Sequence, residues 1–160
     1  MPNKIVCHDV DLLMPPEIVD VYYGAAEHDI VHMGHLIKDY YAYANFLGGI
    51  IAFSSKAFET INGFPNHMYG WGGEDDALHG RIFANKLKVC RPDERKTGVE
   101  IKLSTEKETQ KIPSMIDAFK KEDLLLDEQI WRMNGLNTLQ YKLVNHQRLS
   151  NTVYKITVEL

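Results

Sequence analysis

The sequence predicts a single α/β domain over residues 1–160. Apolar, strand-like runs lie near the N-terminus and at 48–54, residues 75–87 show helical spacing, and apolar residues alternate in the tail. A length of 160 residues suits one domain with its own core. We find no repeat, low-complexity tract or linker that would divide the chain.

The elements of the first half follow from pattern and punctuation. "KIVCHDVDLL" (4–13) predicts a buried strand that runs out into acids and ends at "MPP". The segment 17–33 is ambiguous and is interpreted as a short helix followed by a strand through Ile30–Met33. "GGIIAFS" (48–54) predicts a short strand. "SKAFETING" then predicts a short helix, with Ser55 as N-cap and Gly63 as the stop residue.

The second half is less regular. Leu78, Ile82, Phe83 and Leu87 predict an amphipathic helix over 75–87. Residues 91–111 are rich in charge, which is typical of an exposed loop or hairpin. "SMIDAFKKEDLLLDEQIW" contains helical pieces. The alternating tail predicts two antiparallel strands joined through "NHQRLSN".

Composition excludes several classes of function. The net charge of −4 gives no electrostatic reason to expect nucleic acid or an anionic membrane as partner. No apolar run approaches membrane-spanning length, and the N-terminus lacks a signal-peptide pattern. The two cysteines, Cys7 and Cys90, are interpreted as small buried thiols, and a single disulfide stays an open alternative.

The first acidic cluster is His8-Asp9-Val10-Asp11, at the end of the predicted first strand. In a strand, Asp9 and Asp11 would point to the same side, and ligands collect at the carboxyl ends of strands in α/β sheets. Two such oxygen ligands suit Mg²⁺ or Mn²⁺, which would hold a diphosphate. Solvated turn residues or helix caps explain the same pattern equally well.

The second cluster, Glu74-Asp75-Asp76, follows "GWGG" at 70–73. Acids in a first helical turn complement the helix dipole, and Asp75 would serve as an ordinary N-cap. This alternative does not explain the preceding loop, in which Trp71 is an aromatic plate flanked by glycines. Aromatic plates stack on sugars or bases, so the pattern favours a lid that closes over a substrate beside a carboxylate.

Three stretches carry a resemblance to a known family: "HDVDLL", "NFLGGIIAFSSKAFETINGFPNHMYGWGGEDDALHGRI" and "MNGLNTLQYKLVNHQRLSNTVYKITVEL". Together they resemble the C-terminal catalytic region of the beta-1,4-galactosyltransferase family, from about residue 7 to 158, most weakly over 92–130. The resemblance implies a GT-A-like mixed sheet flanked by helices. It implies an inverting enzyme that transfers galactose or a related hexose from a UDP-sugar donor to a carbohydrate acceptor, with Mn²⁺ or Mg²⁺ as cofactor.

The resemblance also implies roles for individual residues. Asp75 matches the general base, and Asp11 matches the metal ligand. Trp71 matches the tryptophan of the loop that closes over both substrates. The other substrate-binding positions that it implies are Asp9, Tyr43, Gly48, Gly49, Gly72, Gly73, Glu74 and Asp76.

Two departures from the family pattern bear on function. The nucleotide-binding half that precedes the D-V-D strand in the family has no match, since only eight residues precede Asp9. The family's Met-x-x-His metal ligands are also unmatched in "TGVEIKLSTEKE". Either Glu100 or Glu106 supplies an oxygen ligand instead, or the metal is weakly bound or absent. The alternative function is therefore a weak or inactive carbohydrate-binding relative that lacks the donor half. The family works in the Golgi lumen, although this sequence shows no anchor of its own.

Overall fold

A computed structural model describes residues 4–10, 12–24, 27–36, 45–70, 72–93, 102–103 and 116–160. The strands are β1 Lys4–His8, β2 Leu12–Leu13, β3 Ile30–His32, β4 Ile50–Ser54, β5 Val89–Cys90, β6 Lys102–Leu103, β7 Lys142–Arg148 and β8 Tyr154–Glu159. The α-helices are α1 Ile18–Gly24, α2 Ser55–Thr60, α3 Glu74–Ala84 and α4 Ile116–Ile130. Short 3-10 turns cover Gly34–Leu36, Trp131–Met133 and Leu136–Thr138.

Strand β4 is an inner strand of a four-stranded mixed sheet with the order β1-β4-β3-β5. It pairs antiparallel with β1 and with β3, whereas β3 and β5 run parallel. Its four apolar residues are all buried. A strand covered on both faces has no polar side to present, and this explains why "IIAF" is a continuous apolar run rather than an alternating one.

Helices cover both faces of this sheet. On one face, Ile50 and Ala52 of β4 pack in a cluster with Ile18 and Val21 of α1. On the other face, Ile51 and Phe53 of β4 join a cluster with members from α2 and α3, namely Ala57, Leu78 and Ile82. The α/β prediction is confirmed, because a mixed sheet lies between these helices.

The first strand is shorter and less buried than predicted, since none of the residues Lys4–His8 is buried and Val6 is 45% exposed. β1 ends at His8, and β2 pairs with β6 in a separate two-stranded sheet. Between them, the Leu12 backbone N–H donates to the Asp9 carbonyl oxygen at 3.3 Å, and Val10 is fully exposed. The chain therefore turns between Asp9 and Leu12, because a hydrogen bond between residues three apart replaces the extended ladder there.

The helix ends also differ from prediction. Ser54, not Ser55, caps α2, because its Oγ accepts from the Ala57 N–H at 3.1 Å. At the other end Asn62 takes the positive φ of 59° and Gly63 follows it. The Gly63 N–H donates to the Phe58 carbonyl oxygen at 2.9 Å, which completes a Schellman motif.

Helix α3 begins one residue earlier and ends three residues sooner than predicted. It stops at Ala84 because Lys86 has a φ of 55° and the Leu87 N–H turns back to the Ile82 carbonyl oxygen. Phe83 is 77% exposed, so the predicted apolar face was wrong at that position.

The tail forms the predicted pair of antiparallel strands, β7 and β8. Residues 145–148 belong to the first strand rather than to the connection, which is 149–153. Both strands are exposed along their whole length.

Cys7 and Cys90 are free thiols, as interpreted, but they are only partly buried, and burial raises the pKa of each. Among the helices in the part of the chain that the structure describes, none has the length and apolar character needed to cross a membrane.

Candidate active site

The backbone of Gly48 and Gly49, just before β4, forms the centre of the candidate site. Both glycines are buried. A Cβ atom added at Gly48 would lie 2.3 Å from Oδ2 of Asp75 and 2.7 and 2.8 Å from two ring carbons of Phe46. Only a glycine fits there, and the Asp75 carboxylate lies directly against its backbone.

The glycine pair is also bonded to the first acidic cluster. The Asp9 backbone N–H donates to the Gly49 carbonyl oxygen at 2.9 Å. This bond extends the β1–β4 pairing, in which His8 stands opposite Ile50, by one more step. Asp9 and Asp75, which are 66 positions apart in the sequence, therefore both contact the Gly48-Gly49 segment.

The start of α3 explains the "GG" that precedes the acids. Gly73 is the N-cap in the left-handed region, with φ 88° and no side-chain cap, and Gly72 has φ 90°. Residues with a Cβ rarely adopt this backbone. Asp75 is thus the second residue of the helix, so the interpretation of Asp75 as N-cap was wrong. Glu74, Asp75 and Asp76 all lie in the first turn, half-buried, where the helix dipole favours negative charge.

His32, on β3, supports the other side of Gly48. Its Nε2 lies 3.0 Å from the Gly48 carbonyl oxygen, and its Nδ1 lies 3.4 Å from Nε of Arg91. The side chain is fully buried, and burial lowers its pKa to about 4. His32 has no predicted role, and its only signal in the sequence is an imidazole inside the apolar run Ile30–Met33.

Arg81 links α3 to α4 and to neighbouring backbone carbonyl groups. The guanidinium is fully buried and forms a bidentate pair with Asp127 of α4, with N–O distances of 3.0 and 2.5 Å. Its remaining N–H groups donate to the carbonyl oxygens of Asn62, Gly63 and Asn134. The buried ion pair of Arg81 was not predicted either, because a single arginine in a helix does not reveal its partners.

A cavity of about 390 Å³ lies between α3 and α4, next to the acids. Asp76 and His79 line it from α3, and Glu128 and Trp131 line it from the other side. The carboxylates on this wall can accept hydrogen bonds from the hydroxyl groups of a ligand, whereas Trp131 is 8% exposed and has the Arg132 guanidinium 4.6 Å from its ring centroid.

Three predicted site residues, Asp11, Tyr43 and Trp71, lie outside the residues that the structure describes. So do the substitute ligands Glu100 and Glu106. Within the described ranges, no three His, Cys, Asp or Glu side chains come together in a way that could hold a metal ion. The described residues therefore do not by themselves form the predicted metal site.

The fold is that of a GT-A type glycosyltransferase. A solved structure of a mutant Drosophila beta-1,4-galactosyltransferase 7, in complex with manganese, UDP-Gal and xylobiose, superimposes with a TM-score of 0.69 at 25% identity. The alignment covers 98% of this chain and 67% of that one.

Sequence comparison gives the particular family. Residues 31–105 match a family model described as the N-terminal domain of galactosyltransferase. The chain is 37% identical over 109 residues to human beta-1,4-galactosyltransferase 1, covering 66% of this chain and 26% of the relative. It is 32% identical over 157 residues to human beta-1,4-galactosyltransferase 4, covering 96% and 43%. The chain belongs to the beta-1,4-galactosyltransferase family, and it spans less than half the length of these curated relatives.

Proposed function

We propose that the protein is an inverting glycosyltransferase that moves galactose or a related hexose from a UDP-sugar to a sugar acceptor. The observation that carries the proposal is the Asp75 carboxylate at the start of α3, lying against the Gly48 backbone. The names of the relatives and the UDP-Gal and xylobiose bound by the Drosophila protein support the donor and acceptor classes.

Asp75 is the proposed general base. It accepts the proton of the acceptor hydroxyl as that oxygen attacks the anomeric carbon of the donor sugar. The new C–O bond forms as the bond between the anomeric carbon and the UDP oxygen breaks, so the configuration inverts. A half-buried carboxylate in the first turn of a helix suits this task, since it reaches a substrate while the helix holds its backbone still.

The neighbours of Asp75 have proposed roles in binding sugar. Glu74 and Asp76 accept hydrogen bonds from sugar hydroxyls, and for Asp76 the cavity that it lines supports this. Gly72 and Gly73 give the backbone the conformations that let the Trp71 loop close and exclude water. Asp9, Tyr43, Gly48 and Gly49 complete the proposed substrate-binding set.

For the cofactor, the proposal is limited to a divalent cation with one predicted ligand. A divalent cation, as in the Drosophila complex, would offset the charge of the departing UDP. Asp11 remains the predicted ligand on the strength of the resemblance alone. Calorimetric titration with Mn²⁺, and with UDP-Gal in the presence and absence of Mn²⁺, tests it.

The base assignment is tested by Asp75→Asn, which keeps the shape of the side chain and removes its basicity. We expect kcat to fall by a factor on the order of 10²–10⁴ with unchanged thermal stability. The matched control is Asp20→Asn, which also changes an acid in the first turn of a helix, α1, at an exposed position. Wild-type kcat in Asp75→Asn would refute the assignment.

The second candidate function is a carbohydrate-binding protein without transferase activity. It is favoured by the sequence "TGVEIKLSTEKE", which contains neither Met nor His where the family resemblance implies two metal ligands. In the calorimetric titration, binding of an acceptor sugar without metal-dependent binding of UDP-Gal identifies this alternative. Metal-dependent UDP-Gal binding identifies the enzyme.

A further inference from the structure

We propose that His32 is a positioning residue that holds the Gly48 peptide against Asp75 and so sets the location of the base. The inference rests on the proposed function. Its geometric basis is a chain of two contacts: His32 Nε2 lies 3.0 Å from the Gly48 carbonyl oxygen, and the Gly48 backbone abuts the Asp75 carboxylate.

The direction of the first contact follows from Arg91. Its guanidinium carries only donors, so the Nε–H of Arg91 must donate to Nδ1 of His32. The imidazole of His32 is neutral near pH 7, because burial disfavours its charged form. Its single proton is therefore on Nε2, and that N–H donates to the Gly48 carbonyl.

Arg91 also braces the segment directly. Its Nη2 donates to the carbonyl oxygen of Phe46 at 3.0 Å, two residues before Gly48. The ring of Phe46 meets the ring of His32 edge to face, with centroids 5.7 Å apart. Buried His32 of β3 and exposed Arg91, directly after β5, thus hold the segment that supports Asp75 at two points, the carbonyl groups of Phe46 and Gly48.

The Gly48 carbonyl has little room to move. It also accepts from the Ile50 N–H at 3.1 Å. A Cβ added at Gly34 would lie 2.0 Å from this carbonyl oxygen and 2.8 Å from Nε2 of His32, so Gly34 brings the two backbones together. Removing the His32 donor takes away the hydrogen bond from β3 that orients the carbonyl. The contacts of the carbonyl with the Ile50 N–H and with Gly34 remain.

The test compares His32→Leu with His32→Gln in the protein expressed from its complete coding sequence. Leucine fills the space without a donor, whereas the amide of glutamine places an N–H donor near the position of Nε2. We expect His32→Leu to lower kcat by roughly 10-fold or more with KM for the acceptor little changed, since a misplaced base acts on the transition state. We expect His32→Gln to recover most of kcat.

A matched control and a second variant complete the design. His28→Leu makes the same change at an exposed loop position before β3 and should leave kcat and KM unchanged. Arg91→Met keeps His32 but removes the donor that orients its tautomer, and it should lower kcat in the same direction by a smaller factor. If His32→Leu does not fold, Arg91→Met decides, and an unchanged kcat in that variant overturns the proposal.

The outcomes separate this inference from the function on which it rests. Wild-type activity in Asp75→Asn overturns the base assignment and this inference with it. An inactive Asp75→Asn together with full kcat in His32→Leu overturns the positioning role alone. Equal losses in His32→Leu and His32→Gln, accounted for by the unfolded fraction, reduce His32 to a core residue and also overturn the proposal.

Discussion

Replacing Gly48 by alanine places a methyl group where the structure has no room for one. The new Cβ would lie 2.3 Å from Oδ2 of Asp75, whereas ordinary van der Waals contact begins at 3.4 Å. The carboxylate must therefore retreat by about 1 Å, or the Gly48 backbone must retreat by a similar distance. Since a displacement of about 1 Å in catalytic geometry can cost on the order of 10²-fold in rate, we expect kcat of Gly48→Ala to fall by roughly that factor.

The same substitution should also cost stability. Two ring carbons of Phe46 would be within 2.8 Å of the methyl group, and overpacking of this kind costs about 1–3 kcal/mol. The assay is kcat and KM at saturating UDP-sugar, together with urea unfolding. The matched control is Gly80→Ala on α3, where a Cβ meets nothing within 4 Å. It serves as the control for stability and should stabilise the helix by about 0.5–1 kcal/mol. Full activity in a folded Gly48→Ala protein would refute the contact as the structure has it.

Two further predictions concern stability. Arg81→Met leaves Asp127 as a buried carboxylate without its partner and should cost about 3–5 kcal/mol in urea unfolding, whereas Lys142→Met, in the exposed pair with Glu159, should cost less than about 1 kcal/mol. His32 has its pKa lowered to about 4 when folded and regains a pKa near 6.5 when unfolded, so the unfolded chain takes up its proton first as the pH falls. Between pH 7.5 and 5 this should remove about 2 kcal/mol of the unfolding free energy; urea titrations of wild type and His32→Gln at both values check it, and an equal loss in both proteins would contradict it.

Much of the fold could be predicted because its signals are local. The apolar run of β4 and the alternation in the tail each report the environment of a few consecutive residues, and both are confirmed. The errors arose where a long-range or backbone effect decided the outcome. Strand β1 stops at His8 because the chain turns at Asp9 to send Leu12 into a different sheet, and no local pattern announces that partner.

In the candidate site, too, some residues were predicted and others became evident only in the structure. The resemblance pointed to Gly48 and Asp75, and the structure brings them into contact, although their catalytic and binding roles stay predictions. His32 and Arg81 escaped notice because their importance lies in partners 16 and 46 positions away. A buried histidine or arginine has no sequence signature, since the carbonyl groups that satisfy it belong to every residue type.

The anchoring of Arg81 constrains how the site can move. Its donors tie the middle of α3 to α4 and to the backbone at Asn62, Gly63 and Asn134, so the helix cannot pivot without breaking a buried ion pair. A proton acceptor at Asp75, as proposed above, would keep its position during the reaction, because the helix that carries it is fixed by these buried contacts.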